Sequence, residues 1–279
     1  MIQISNVRRK FVEHPYKYII LNSTILFVIA SIIEMTIHEC GHYIAAVLMH
    51  ASQISLHHNY VHYSELNLNL YQNIFISGAG PLFSLFIGII FHLICSSHSK
   101  RSLQFLFYMY MSIFGYIGFF GYLLIAPVFI YGDTGFIFNA LGFPIWLTIT
   151  IAITGALVLF FIMKNLTKYF VLCGTERLGE NIQERATFIH SIILYPLFSG
   201  IIITTLLNIP VPTTLSLIAP ICSPFTILWT YGYALKQKYP DHSANNDFDN
   251  LNKFSPYLLF FLLLVIVMNR LLAGGIYMN

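Results

Sequence analysis

Hydrophobic positions gather along this chain in seven runs long enough to cross a bilayer: about 18–37 (continuing as helix to about 49), 71–95, 103–130, 140–163, 188–207, 214–235 and 257–277. A hydrocarbon core about 30 Å thick asks for roughly 20 apolar residues per helical span. The pattern therefore predicts an all-α polytopic membrane protein with about seven transmembrane helices. After the first run the periodicity changes. Residues 52–64 partly alternate and carry β-branched and aromatic side chains, which predicts a short interfacial β strand or hairpin directly after the first helix. The longest polar stretches, about 164–187 and 236–256, are the size of loops or short surface helices, too small for a second globular domain. Within the second, the Asn-rich segment 241–253 reads as a solvated loop.

Composition agrees. Of 279 residues, 57% are hydrophobic and 9% charged, and the mean hydropathy is +0.73, which excludes a soluble domain and makes the lipid bilayer a partner. The net charge of +3 is small, and no basic patch interleaved with aromatics points to nucleic acid. Four cysteines, Cys40, Cys95, Cys173 and Cys222, are scattered without a CxxC pair and form no disulfide framework.

The cations alternate between loops. Arg8, Arg9, Lys10 and Lys17 precede the first run; Lys100 and Arg101 follow the second; Lys164, Lys168, Arg177 and Arg185 follow the fourth; Lys236, Lys238 and Lys253 follow the sixth. The intervening loops have none, and only Arg270 falls outside the scheme. The positive-inside rule then makes the N-terminus cytoplasmic, and the expected setting is the plasma membrane of a prokaryote. The basic N-terminus resembles a signal-peptide n-region, but the apolar run behind it is too long, so an uncleaved first helix is expected.

The candidate chemistry lies near the end of that helix, in His38-Glu39-Cys40-Gly41-His42. Residues i and i+4 share a helix face, so both imidazoles can reach one ion, and Glu39 can hold a water against it. Zinc is the expected cofactor, because three protein ligands leave it an open position for water. Glu34, His38, Glu39 and His42 put four ionisable groups on two turns of an apolar helix, an arrangement without compensation unless a metal or polar cavity is present. Cys40, two residues from either histidine, faces elsewhere. Glu34, one turn earlier, is placed to orient an imidazole through its other nitrogen. His57, His58 and His62 suggest a second cluster, but four residues of strand separate ligands by roughly 13 Å, which favours ordinary interfacial histidines.

Two histidines need a third ligand. Asp133, in Gly132-Asp133-Thr134-Gly135, follows the third run, which ends on the same side as the first; the two glycines permit a tight turn that carries the carboxylate inward. The rivals are Glu176, Glu180 and Glu184, whose spacing with Arg177 and Arg185 also suits a solvated helix face and whose loop lies on the opposite side.

An HExxH in the first span, Gly78-Ala79-Gly80-Pro81-Leu82 in the second and an Asp-bearing segment after Pro127 together resemble the site-2 protease family of intramembrane zinc metalloproteases. The resemblance covers about residues 30–140. It implies that His38, His42 and Asp133 bind zinc, that Glu39 is the general base, and that Gly80 and Pro81 stand close to the ligands or the substrate. It also divides the chain into a metalloprotease-like core of three helices (1–140) and additional helices of unknown role (141–279). The family's third-helix motif has an Asn, a Pro and then Leu-Asp-Gly; here no Asn precedes Pro127 at that spacing and Asp133 sits in Gly-Asp-Thr. Familiar members open their site toward the cytoplasm, whereas the cation pattern here points it to the outer face. The expected activity is hydrolysis of a peptide bond in a membrane-spanning or signal-like segment of a membrane-protein or peptide substrate. The rival readings are a metal-ion transporter or sensor using the same cluster, and a binding protein without activity.

Overall fold

The structure, a computed structural model, describes residues 14–98, 100–174, 178, 181–212, 214–237 and 247–278. Arg8, Arg9, Lys10, Glu176, Arg177, Glu180, Lys238 and the polar segment 241–246 lie outside the described residues.

In chain order the elements are α1 (Lys17–Leu48), β1 (Ser52–Leu56), β2 (Val61–Ser64), α2 (Leu70–Ser97), α3 (Leu103–Ile125), the short α4 (Asp133–Ala140), α5 (Ile145–Leu172), α6 (Ile182–Leu207), α7 (Pro256–Ala273) and β3 (Ile276–Met278). Among the described residues six helices, all of these but α4, are long and apolar enough to cross a membrane. The protein is an all-α multi-pass membrane protein with one small sheet. Helix ends follow local signals. Asn69 and Gln72 close a reciprocal capping box at the start of α2, Ser102 caps α3 and Ser255 caps α7, and Pro127 lies two residues beyond the end of α3.

The sixth apolar run, 214–235, differs from its expectation of a continuous span. It is broken into the pieces Thr214–Leu217, Ile218–Cys222, Ser223–Ile227 and Leu228–Ala234. Pro220 and Pro224 each remove a backbone donor within it, and Pro210 and Pro212 do so just before it, so no long helix can close its hydrogen bonds there. The segment still leads from one end of the bundle to the other. At its start Asn208 O accepts from His58 Nε2 (3.0 Å), beside the end of α1. At its finish Ala234 O accepts from Arg185 Nη2 (3.2 Å), near the start of α6.

The described cations gather at the end where α1 begins. Lys100 pairs with Asp247 (3.0 Å), and the backbone carbonyls of Leu251 and Lys253 accept from Asn22. Arg270 stands at the other end and ties two helices together there, donating to the Leu207 and Ile209 carbonyls at the close of α6. A cation there answers the partial negative charge of a helix terminus.

Helix α1 is the hub and packs on α2, α3, α6 and α7. Phe27 meets Phe114 and Tyr110 edge to face, at 4.8 and 5.7 Å between centroids, and Phe105, Phe170 and Phe188 complete a fully buried aromatic core. Lipid is as apolar as these side chains, so close packing, rather than escape from water, holds the helices together. Glycines set the closest approach: a Cβ on Gly115 would sit 2.6 Å from the Cα of Gly88, where α2 crosses α3.

Sheet order is β2-β1-β3, antiparallel throughout. Ser55 pairs with His62 in β2 and with Tyr277 in β3, and an irregularity between Ser52 and Ser55 bends the hairpin. The expected hairpin thus gains a third strand from the end of the chain, a pairing between residues too distant in sequence for local alternation to signal.

Candidate metal centre

His38 and His42 lie on the buried face of α1, 3% and 7% exposed. Helix α2 fixes both rings. His42 Nδ1 meets Ile76 O at 2.7 Å; a carbonyl only accepts, so this nitrogen donates and leaves the Nε2 lone pair bare in the neutral ring. His38 Nδ1 meets Ser84 Oγ at 3.0 Å, and the Tyr122 ring stacks on His38 at 4.9 Å and 18°. Gly80 sits beneath the pair. A Cβ there would run into His42 and stand 2.7 Å from His38 Nε2, so only glycine leaves room for both imidazoles. Pro81 follows as a buried residue inside α2.

Asp133 arrives from the turn after α3. Gly132 N donates to Phe129 O (3.1 Å), and a Cβ on Gly135 would strike that same carbonyl. Thr134 Oγ1 donates to Tyr122 O (2.7 Å), tying the start of α4 to the last turn of α3. The carboxylate is thereby carried inward: Asp133 Oδ2 lies 3.0 Å from His38 Nε2 and 3.3 Å from His42 Nε2, and the two Nε2 atoms are 3.1 Å apart. Burial opposes the charge on Asp133; with a proton rather than a metal ion between it and the two imidazoles, their attraction outweighs that and holds the carboxyl well below its usual range.

These three groups could hold a metal ion, since their ligand atoms all lie within 4.8 Å of one another. The chemistry of the donor set fits one. Two ring nitrogens whose far sides are already engaged and one carboxylate oxygen point lone pairs at a common spot, and acceptors so close repel unless a cation or proton lies between them. Ligand atoms at about 2.0–2.1 Å from a tetrahedral ion stand roughly 3.3 Å from each other, close to the spacing found.

Glu39 is 6% exposed and lines the same cavity, of about 1080 Å³, as do His38, His42, Asp133 and Glu34. One wall of that cavity is β2, through Val61 and Tyr63; another is the broken segment, through Pro212, Ser216, Pro220 and Ser223. Cys40 is only half-buried and forms no part of the cluster. The histidines of the hairpin do not converge. His57 stacks on Tyr60 (4.2 Å) and His58 binds Asn208 O, and among the described residues the one metal-competent group is His38, His42 and Asp133. Of the rival third ligands Glu184 is described, and it accepts from Tyr16 Oη (3.2 Å) at the opposite end of α1.

Sequence reasoning missed Ser84, Ile76 O, Tyr122 and the wall formed by Asn208, Pro212, Ser216, Pro220, Ser223 and Pro224. Ser84 had a faint signal, about one turn of helix beyond Gly80-Pro81 on the same α2; the backbone carbonyl of Ile76 had none. Comparison with known proteins finds no matching family model, no matching curated protein and no matching solved structure.

Proposed function

We propose that this protein is an intramembrane zinc metalloprotease that hydrolyses a peptide bond in a membrane-spanning or signal-like segment, of the kind the site-2 protease resemblance implies. The observation that carries the reading is the convergence of His38, His42 and Asp133 on one point at the wall of a large cavity that Glu39 also lines. Zinc held by these three groups supplies a Lewis acid that polarises a carbonyl and acidifies water. Glu39 takes the proton from the attacking water and returns it to the leaving amine nitrogen. Ile76 O holds His42 in the tautomer that leaves Nε2 free, Ser84 anchors the far nitrogen of His38, and Tyr122 restrains the His38 ring. A helical substrate hides its carbonyls in its own hydrogen bonds, so it must unwind. The outer edge of β2 borders the cavity and offers an extended segment backbone partners.

The cations collected at the start of α1 support a cytoplasmic N-terminus, with the metal end toward the outer face of a prokaryotic plasma membrane. An ion path would need ligands recurring along the bundle, and the described residues hold no second group.

Elemental analysis of detergent-purified protein tests the cofactor, with about one zinc per chain expected in the wild type and loss in both His38→Ala and Asp133→Asn. Cleavage of a membrane-embedded peptide tests the reaction. A Glu39→Gln variant that keeps zinc and still cleaves would overturn it.

A further inference from the structure

Glu34 is a buried carboxylate with an oxygen left unpartnered by its surroundings. It is 8% exposed and lines the cavity one helical turn before His38. The Ser84 hydroxyl meets His38 Nδ1 at 3.0 Å and, like Glu34 Oε1, lies against Gly118. Glu34 Oε1 has no hydrogen-bond partner and rests against Gly118, itself part of the cavity lining. A buried carboxylate oxygen without a donor is costly, and a buried charge without a counter-charge is costlier still.

The charge balance of the cavity points the same way. Its lining holds three carboxylates, Glu34, Glu39 and Asp133, with two imidazoles and, among the described residues, no Lys or Arg. A divalent cation on His38, His42 and Asp133 would leave Glu34 without a positive partner of its own in that lining. A neutral donor would satisfy Oε1; a cationic one would also supply the counter-charge that the lining lacks.

We infer that Glu34 forms a subsite for a cationic side chain, lysine or arginine, of a segment lying in the cavity. The inference rests on the protease reading of the site. Four residues of α1 separate Glu34 from His38 by about 6 Å along the axis, and an extended chain rises about 3.3 Å per residue. The cation therefore belongs about two residues from the bond at the metal, on the side toward the start of α1. The subsite would select apolar segments interrupted by one basic residue.

Binding, not cleavage, tests this. Fluorescent apolar peptides of about 20 residues, each with one lysine at successive positions, are titrated against full-length zinc-loaded Glu39→Gln protein in lipid nanodiscs. One lysine position is expected to bind at least about tenfold tighter than the same peptide with methionine there. Glu34→Gln should cut that ratio to about twofold or less, and Glu34→Asp should retain part of it. A flat lysine scan overturns the subsite, as does a preference that survives Glu34→Gln in zinc-loaded protein. Should Glu34→Gln fail to hold zinc, the scan on the parent protein alone decides. Glu34-dependent lysine preference in peptides that the wild type leaves uncut would uphold the subsite and fell the protease reading.

Discussion

Helix α1 carries two buried polar clusters, one near each end, and they are built on opposite principles. Near its start, Ser23 Oγ lies 2.7 Å from Tyr110 Oη, and both hydroxyls reach Ile192 O; Asn22 Nδ2 donates to Leu251 O and Lys253 O; Thr24 meets Ser199 at 2.9 Å. Every donor there meets an acceptor inside the protein, and the aromatic core of Phe27, Phe105 and Phe170 surrounds it. Near the other end, the inner nitrogens of His38 and His42 and the Asp133 carboxylate turn acceptors toward one another at the wall of a cavity. The first cluster pairs its donors internally, leaving only the Asn22 Oδ1 acceptor unpaired among the residues just named, and works as a joint between α1, α3 and α6. The second leaves its valence open, and an open valence in a low-dielectric interior signals something still to be bound.

That contrast can be broken by exchanging the consequences of mutation. The largest effects belong to the open cluster. His38→Ala and Asp133→Asn are expected to drop zinc from about one per chain to background in elemental analysis, with cleavage lost entirely, because two ligands do not hold a catalytic zinc. Glu39→Gln is expected to keep the metal and slow peptide hydrolysis by roughly 10²–10⁴-fold, the span general acid–base catalysis supplies, as read by a gel or fluorescence assay of cleavage. Ser84→Ala comes next. With the partner of His38 Nδ1 gone, zinc affinity measured by chelator competition should fall by about 10–100-fold, while the protein remains folded. Gly80→Ala sharpens the same point from sterics: its methyl occupies the space of both imidazoles, so zinc occupancy should fall although no ligand has changed. The smallest effect belongs to the closed cluster. Tyr110→Phe should cost about 0.6–1.7 kcal/mol of stability, the size of hydrogen bonds between membrane helices, and leave zinc content unaltered. A Tyr110→Phe protein that loses zinc, or a Ser84→Ala protein that binds it as before, would erase the distinction between joint and site.

A second contrast lies in how faithfully helices follow from hydrophobicity. The runs that became α2, α3, α5 and α7 carry apolar side chains with at most one interior proline, and each forms a continuous helix. The run 214–235 is as apolar in outline, yet its prolines open the backbone. In a bilayer an open backbone is tolerated only where protein or a polar cavity covers it, and this segment lines the same cavity as the metal centre. The feature that spoils the helix thus also gives the cavity a wall of backbone and of hydroxyl-bearing residues such as Ser216 and Ser223.

What the sequence determined by itself is local. Runs of some twenty apolar residues fix where helices cross, because a bilayer admits little else, and the i, i+4 spacing of His38 and His42 fixes that both point one way, because helical geometry is rigid. The alternation in 52–64 specified β1 and β2 for the same reason. Tertiary structure decided everything that needs two distant segments to meet: Asp133 reaching the histidines 91 and 95 residues away (133 − 42 and 133 − 38), Ile76 O choosing the tautomer of His42 and Ser84 anchoring His38, β3 joining β1, and Glu34 left with an unpartnered oxygen in a cavity. None of these leaves a periodic mark on the chain, since each depends on which helix faces are pressed together and how closely glycines such as Gly80 and Gly115 allow them to approach.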